Sequence, residues 1–217
     1  MAEMKILDLN ELGRAVDVPS REFTPPIPGA KPMLEQVWDG DYVQKAVDYL
    51  QKNYKSKGGQ YSILGHVPSW VCIAFADALM PECECFFATP NHDENNTFTH
   101  LPIYDLKTGA LDPSIPYQQT VREEGDFIYV DFSLTEDVSW EDLINKVSPN
   151  LTLPELPAGK NVCLFSNAHY PLQWVVINHY AKNARGVFCA DHDAPVYRCA
   201  IPGTSGYKYG EEVPRKA

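Results

Sequence analysis

Two short turns carry the residues best suited to chemistry. Gly65-His66-Val67-Pro68 follows the apolar run Tyr61 to Leu64, and Ser166-Asn167-Ala168-His169 follows the apolar run Val162 to Phe165. In each, a histidine stands two residues before a proline, and a tryptophan follows that proline: His66, Pro68, Trp70 and His169, Pro171, Trp174. An imidazole titrates near neutrality, so at a strand end it can act as general base or acid, or donate to a phosphate. Asp105 and Asp191 close the next apolar runs, where a carboxylate can orient a histidine or hold a cation. Gly65, Ser166 and Asn167 complete the turns as candidate ligand-binding residues. The plain alternatives are turn residues that cap the following helix and aspartates that begin a turn. Asp191-His192-Asp193 is a denser cluster. Trp70 and Trp174 suit core packing, and His179 faces the packing layer of its helix.

The elements that position these residues read as strand, turn, helix, strand in both places, which predicts an α/β fold. The first copy runs from Tyr61 through an apolar helix to Leu79 and on to the Pro102–Asp105 run. The second runs from Val162 through a helix to about Asn183 and on to Val187–Asp191. The likeness marks an internal duplication, with a long insert at 81–99 in the first copy. Three segments follow: a Pro-rich arm at 1–33 with a short strand near Met4 to Leu9, a first unit at 34–124 and a second at 125–217. A helix is predicted over Leu34 to Tyr54, with Val43, Ala46, Val47 and Leu50 on one face. Asp126 to Leu134 alternates as a half-buried strand, and Ser139 caps a short helix from Trp140 to Val147.

Composition bounds the rest. Over 217 residues, 44% hydrophobic content with 12% aromatics is that of a folded protein. A net charge of −11 argues against a duplex DNA or RNA binder, whose affinity comes from Lys and Arg at phosphates, but leaves a small nucleotide open. No apolar run is long enough for a membrane span and no secretory signal opens the chain, so the expected location is cytoplasmic. The cysteines lie mostly inside apolar runs and read as reduced core thiols. Cys83, Cys85, His92 and His100 do not match a strong zinc spacing, and Cys85-Phe86-Phe87-Ala88 reads as a strand.

Several motifs together resemble the CRISPR-associated ring nuclease family, also described as a manganese-dependent poly(A) deadenylase. In the second half they are Phe127–Leu134, Trp140-Glu141-Asp142-Leu143, Gly159-Lys160-Asn161-Val162 and the Pro171/Trp174 turn with the strand ending at Asp191. In the first half, Gly65-His66-Val67-Pro68-Ser69-Trp70, Tyr104–Ala110 and Arg122–Asp126 resemble the same pattern. The resemblance implies two fused Rossmann-like units, related to cyclic-oligoadenylate sensor domains and paired about a pseudo-two-fold. It implies binding of cyclic tetra-adenylate and its cleavage, which switches off type III CRISPR signalling, with His66 and His169 facing one cleft. A messenger-sequestering sensor without catalysis is the alternative, and an interaction module without nucleotide a third; further self-association is open.

The chain departs from the family at its chemistry. The acid/base histidine after the helix is replaced by Lys182-Asn183, with His179 only nearby and His100 the nearest candidate in the first half. A manganese-ligand histidine is replaced around Gln118-Gln119, with no match near Thr204. Cleavage without metal is therefore the expectation.

Overall fold

The computed structural model describes residues 4–24, 31–65, 67–90, 97–191 and 194–215, with the side chains of 89 and 90 left aside. The first half runs β1 (Lys5–Asp8), α1 (Leu9–Ala15), β2 (Ser20–Phe23), β3 (Met33–Gln36), α2 (Gly40–Asn53), β4 (Gly59–Leu64), α3 (Ser69–Leu79), β5 (Cys83–Pro90) and β6 (Phe98–Pro102). Then follow β7 (Lys107–Thr108), β8 (Tyr117–Glu124), β9 (Phe127–Leu134), α4 (Trp140–Asp142), β10 (Thr152–Leu153), β11 (Asn161–Ser166), α5 (Tyr170–Ala181), β12 (Gly186–Ala190), β13 (Val196–Ile201) and β14 (Glu212–Pro214). The α4 turn passes into a π-helical turn at Leu143–Val147.

The fold is mixed α/β. One sheet has the order β1-β4-β5-β6 and a larger one β14-β13-β12-β11-β9-β8. In the first, β1, β4 and β5 are parallel and β6 returns antiparallel. In the second, β9, β11 and β12 are parallel and β13 returns antiparallel. The duplication is thus present in the topology, with a corrected correspondence. The strand that follows α3 in parallel is β5, not the Pro102–Asp105 run, so β5 answers to β12 and β6 to β13.

The segment boundaries also shift. Lys5–Asp8 is no part of a detached arm: it forms the edge strand of the first sheet, and Leu7, Leu9 and Leu12 are buried. At the other boundary, β8 and β9 form a hairpin in the larger sheet, so residues from Tyr117 belong with the second half. Helix α2 starts at Gly40 rather than Leu34. Asp39 caps it by accepting the Tyr42 N–H at 2.9 Å, while Met33–Gln36 pairs with Ser20–Phe23 as a hairpin. Its buried face is Val43, Ala46, Val47 and Leu50, as the 3.6-residue period requires.

Helices α3 and α5 are apolar over most of their surface because most of it is covered, Asp77 and Tyr170 being the exposed exceptions. Helix α3 packs against α2, α5, β5, β12 and β13, and so bridges both sheets. One core cluster joins residues of both halves, from Leu7 to Ala200. Contacts at two levels fix the direction of α5. Its first turn meets the far end of β5, where Phe87 stands against Tyr170 and Trp174. Its last turn meets the chain after β6, where Lys182 pairs with Asp105. Since β4 and β5 are parallel, α3 and α5 run the same way and start at the same edge of the molecule. A cavity of about 40 Å³ between them is lined by Ile73, Ala76, Asp77 and Met80 of one helix side and Trp174, Ile177, Asn178 and Ala181 of the other, at equal spacings.

The candidate site at the strand ends

The second turn is built from its own polar groups. Ser166 Oγ accepts the Ala168 N–H at 3.0 Å, and Gln173 Nε2 donates to the Ala168 carbonyl at 2.6 Å. Asn167 Oδ1 accepts the Leu134 N–H at 2.9 Å, and its amide nitrogen donates to the Leu134 carbonyl at 3.4 Å. That pair of bonds ties the end of β11 to the end of β9. Ser166 and Asn167 therefore hold the turn in place, and what the turn offers a ligand is the start of α5 and the exposed His169.

His169 is the N-cap residue of α5, with φ −59° and ψ 147°, and its side chain makes no capping bond. Pro68 is the N-cap residue of α3, with φ −53° and ψ 145°, again without a side-chain cap. The carbonyl of Pro68 accepts the N–H groups of Val71 and Cys72 at 3.0 and 3.3 Å. That of His169 accepts those of Leu172 and Gln173 at 3.0 and 3.2 Å. These matched bonds align His169 with Pro68, one step away from the alignment on His-x-Pro. On that alignment Trp70 and Trp174 are not equivalent positions of the repeat. His66 lies outside the described residues, as do His92, His192 and Asp193. Both tryptophans are core residues, as expected.

Gly65 ends β4 with φ +149°, and an added Cβ would lie 2.8 Å from the Cβ of Leu9. Its glycine is explained by the close approach of α1.

The two aspartates are not brought together. Ile103 N–H bonds to the Cys85 carbonyl at 3.3 Å, so the chain after β6 heads back toward the start of β5. Asp105 accordingly lies at the edge opposite to Gly65, exposed and paired with Lys182. Asp191 does stand at the end of β12, beside the end of β11. It is mostly buried and accepts from Arg198 Nε at 2.5 Å, while Arg198 also pairs with Glu212 at 2.9 Å. An open groove of about 1040 Å³ runs from Asp191 and Arg198 past Pro68, Trp70 and Lys208 to the first turn of α2.

Three features had no place in the sequence reading. The Trp140 ring stacks on His169, centroids 4.7 Å apart and planes 30° apart. A lone tryptophan opening a helix among carboxylates was the available signal. His100 Nδ1 lies 2.8 Å from Ser62 Oγ. Ser62 is wholly buried in the middle of β4, so this pair satisfies a core hydroxyl and presents no nucleophile to a substrate. His179 lines a pocket of about 100 Å³ at the edge opposite to His169, with Leu106, Glu155 and Lys182. Burial, then Lys182, lowers its pKa, against a bond to Leu106 and the carboxylates of Asp105 and Glu155.

Gln119, where the resemblance implies a manganese-ligand histidine, exchanges hydrogen bonds of 2.7 and 3.0 Å with the Tyr180 hydroxyl. Among the described residues no group of three or more His, Cys, Asp or Glu side chains is placed to hold a metal ion. Among them, too, no helix is long and apolar enough to cross a membrane. Compared with known families and with curated proteins, the chain matches no family model and no curated protein.

Proposed function

We propose that this chain binds a cyclic oligoadenylate, with cyclic tetra-adenylate the first ring to test, in one cleft between two fused Rossmann-like units, and thereby removes the messenger of a type III CRISPR response. One observation carries the reading: α3 and α5 lie side by side, run the same way, and begin at the same edge without a side-chain cap. The positive end of a helix dipole favours phosphate; at α5 Pro171 has no N–H and Leu172 and Gln173 already donate to the His169 carbonyl, so the dipole is what that start offers. Two such ends about a pseudo-two-fold suit a symmetric polyanionic ring. This mode of holding phosphate needs no cluster of Lys and Arg, in keeping with the net charge of −11.

His169 favours a second reading, in which the ring is also cut. Stacking on Trp140 uses the face of the imidazole and leaves its nitrogens at the ring edge. As general base His169 would take the proton of a ribose 2′-OH. The 2′-oxygen then bonds to the adjacent phosphorus, the bond from phosphorus to the 5′-oxygen breaks, and a proton returns to that oxygen. The products are a 2′,3′-cyclic phosphate and a 5′-hydroxyl. No step runs through a metal, since the residues at Gln118-Gln119 do not fit one.

Calorimetric titration with cyclic tetra-adenylate in EDTA is expected to give saturable binding, and no binding would overturn the proposal in favour of an interaction module. Chromatography of the incubated ring then separates the two readings. Linear adenylates select cleavage, with His169→Ala slower by about a hundredfold to ten-thousandfold. An intact ring selects sequestration.

A further inference from the structure

We infer that the Trp140–His169 stack seats one nucleobase of the ligand, an assignment that rests on the nucleotide reading above. Trp140 is 42% exposed, whereas Trp38, Trp70 and Trp174 are 8%, 2% and 2% exposed. An indole held in place with one side against another ring presents a ready stacking surface. The ring is nonetheless held. Ser139 Oγ accepts the Asp142 N–H at 3.1 Å and sets the start of α4, and His169 lies against one side of the indole. His169 is held in turn, since its turn is tied to β9 through Asn167 and Leu134. The platform therefore stands at the same edge as the start of α5.

Charge decides what can lie on it. Glu136, Asp137 and Glu141 flank Trp140 in sequence, while Asp142 is paired with Lys146, so a phosphate is repelled from the indole side. A neutral base is not, and every base offers a π face to an aromatic ring. The phosphate turns instead toward the positive end of the α5 dipole, immediately after His169. Base on the indole and phosphate on the helix end are then the two halves of one nucleotide.

The test pairs calorimetry with acrylamide quenching of tryptophan fluorescence, using the full chain and cyclic tetra-adenylate. With the other three tryptophans buried, quencher-accessible emission belongs to Trp140. Saturating ring is expected to shield that emission. Trp140→Ala is expected to weaken calorimetric affinity at least about tenfold, and Trp140→Phe to keep most of it. Ring binding that leaves Trp140 open to acrylamide, or parental affinity in Trp140→Ala, overturns the stacking assignment alone. Should Trp140→Ala not fold, the shielding of the parent and the affinity of Trp140→Phe decide the matter. No calorimetric binding by the parent overturns the nucleotide reading and this inference with it.

Discussion

Gly40→Ala is expected to destabilise the chain by about 1–3 kcal/mol, the range for forcing extra atoms into a packed contact. Gly40 opens α2 directly against the loop between β13 and β14. A Cβ there would fall onto the carbonyl oxygen of Tyr209, 2.9 Å from its carbonyl carbon and 3.7 Å from the Cα of Gly210. All three atoms are backbone, so none can rotate aside as a side chain would. The helix preference of Ala over Gly, about 1 kcal/mol in a helix interior, works the other way and counts for less at a first position. For a chain of this size each kcal/mol moves Tm by about 2–4 °C, which gives a drop of about 2–12 °C. Gly125→Ala is the control. Gly125 has φ +58° with open space around it, so its loss, about 1–2 kcal/mol, comes from the backbone alone. Thermal unfolding followed by far-UV circular dichroism reads both. A Gly40→Ala variant that melts at or above the parent would refute the close approach of α2 to the β13–β14 loop, and with it the wall this approach gives the groove.

Three other outcomes are expected. The folded pKa of His179 lies below its unfolded value, so the unfolded state binds the extra proton first; the stabilisation is complete above about pH 6.5 and is lost as pH falls through the folded pKa. The urea midpoint should therefore decline from about pH 7.5 to about pH 5, less steeply in His179→Gln, and equal slopes would remove His179 as a cause. Burial pushes the thiols of Cys72, Cys85 and Cys199 up to about 12, and all six cysteines are buried and unpaired. An aromatic disulfide reagent at neutral pH should leave the native chain unmodified and react fully in denaturant; fast native labelling would contradict the packing. Asp105→Ala should change stability by less than about 1 kcal/mol, the value of an exposed ion pair, and leave cyclic tetra-adenylate affinity unchanged, whereas weaker binding would bring Asp105 back to the site.

Periodicity made some of this legible. The buried face of α2 and the Ser139 cap follow from local spacing; in β9 Ile128, Val130 and Phe132 are buried as the alternation requires, but Tyr129 on the other face is buried too, under a second apolar cluster. The repeat was legible too, but its alignment was not. Matching on His, Pro and Trp joined residues that look alike. The backbone instead matches Pro68 to His169, because a helix start is set by φ, ψ and carbonyl bonding rather than by side-chain type. The Pro102–Asp105 run misled for a related reason: a short apolar run does not reveal whether its strand is parallel or returning. The Trp140–His169 stack joins residues far apart in the chain, which the parallel pairing of β9 with β11 and the Asn167 tie beyond it bring together.

The unbroken core that α3 carries into the second sheet has a consequence for how this chain can change. Two identical subunits related by symmetry carry every substitution twice and come apart on dilution. Here the halves share one core, so dilution does not separate them from each other. Nor must an alteration in one half be tolerated in the other. The open indole of Trp140 and the ion pair of Asp191 with Arg198 both belong to the second half, and the first was free to diverge from them.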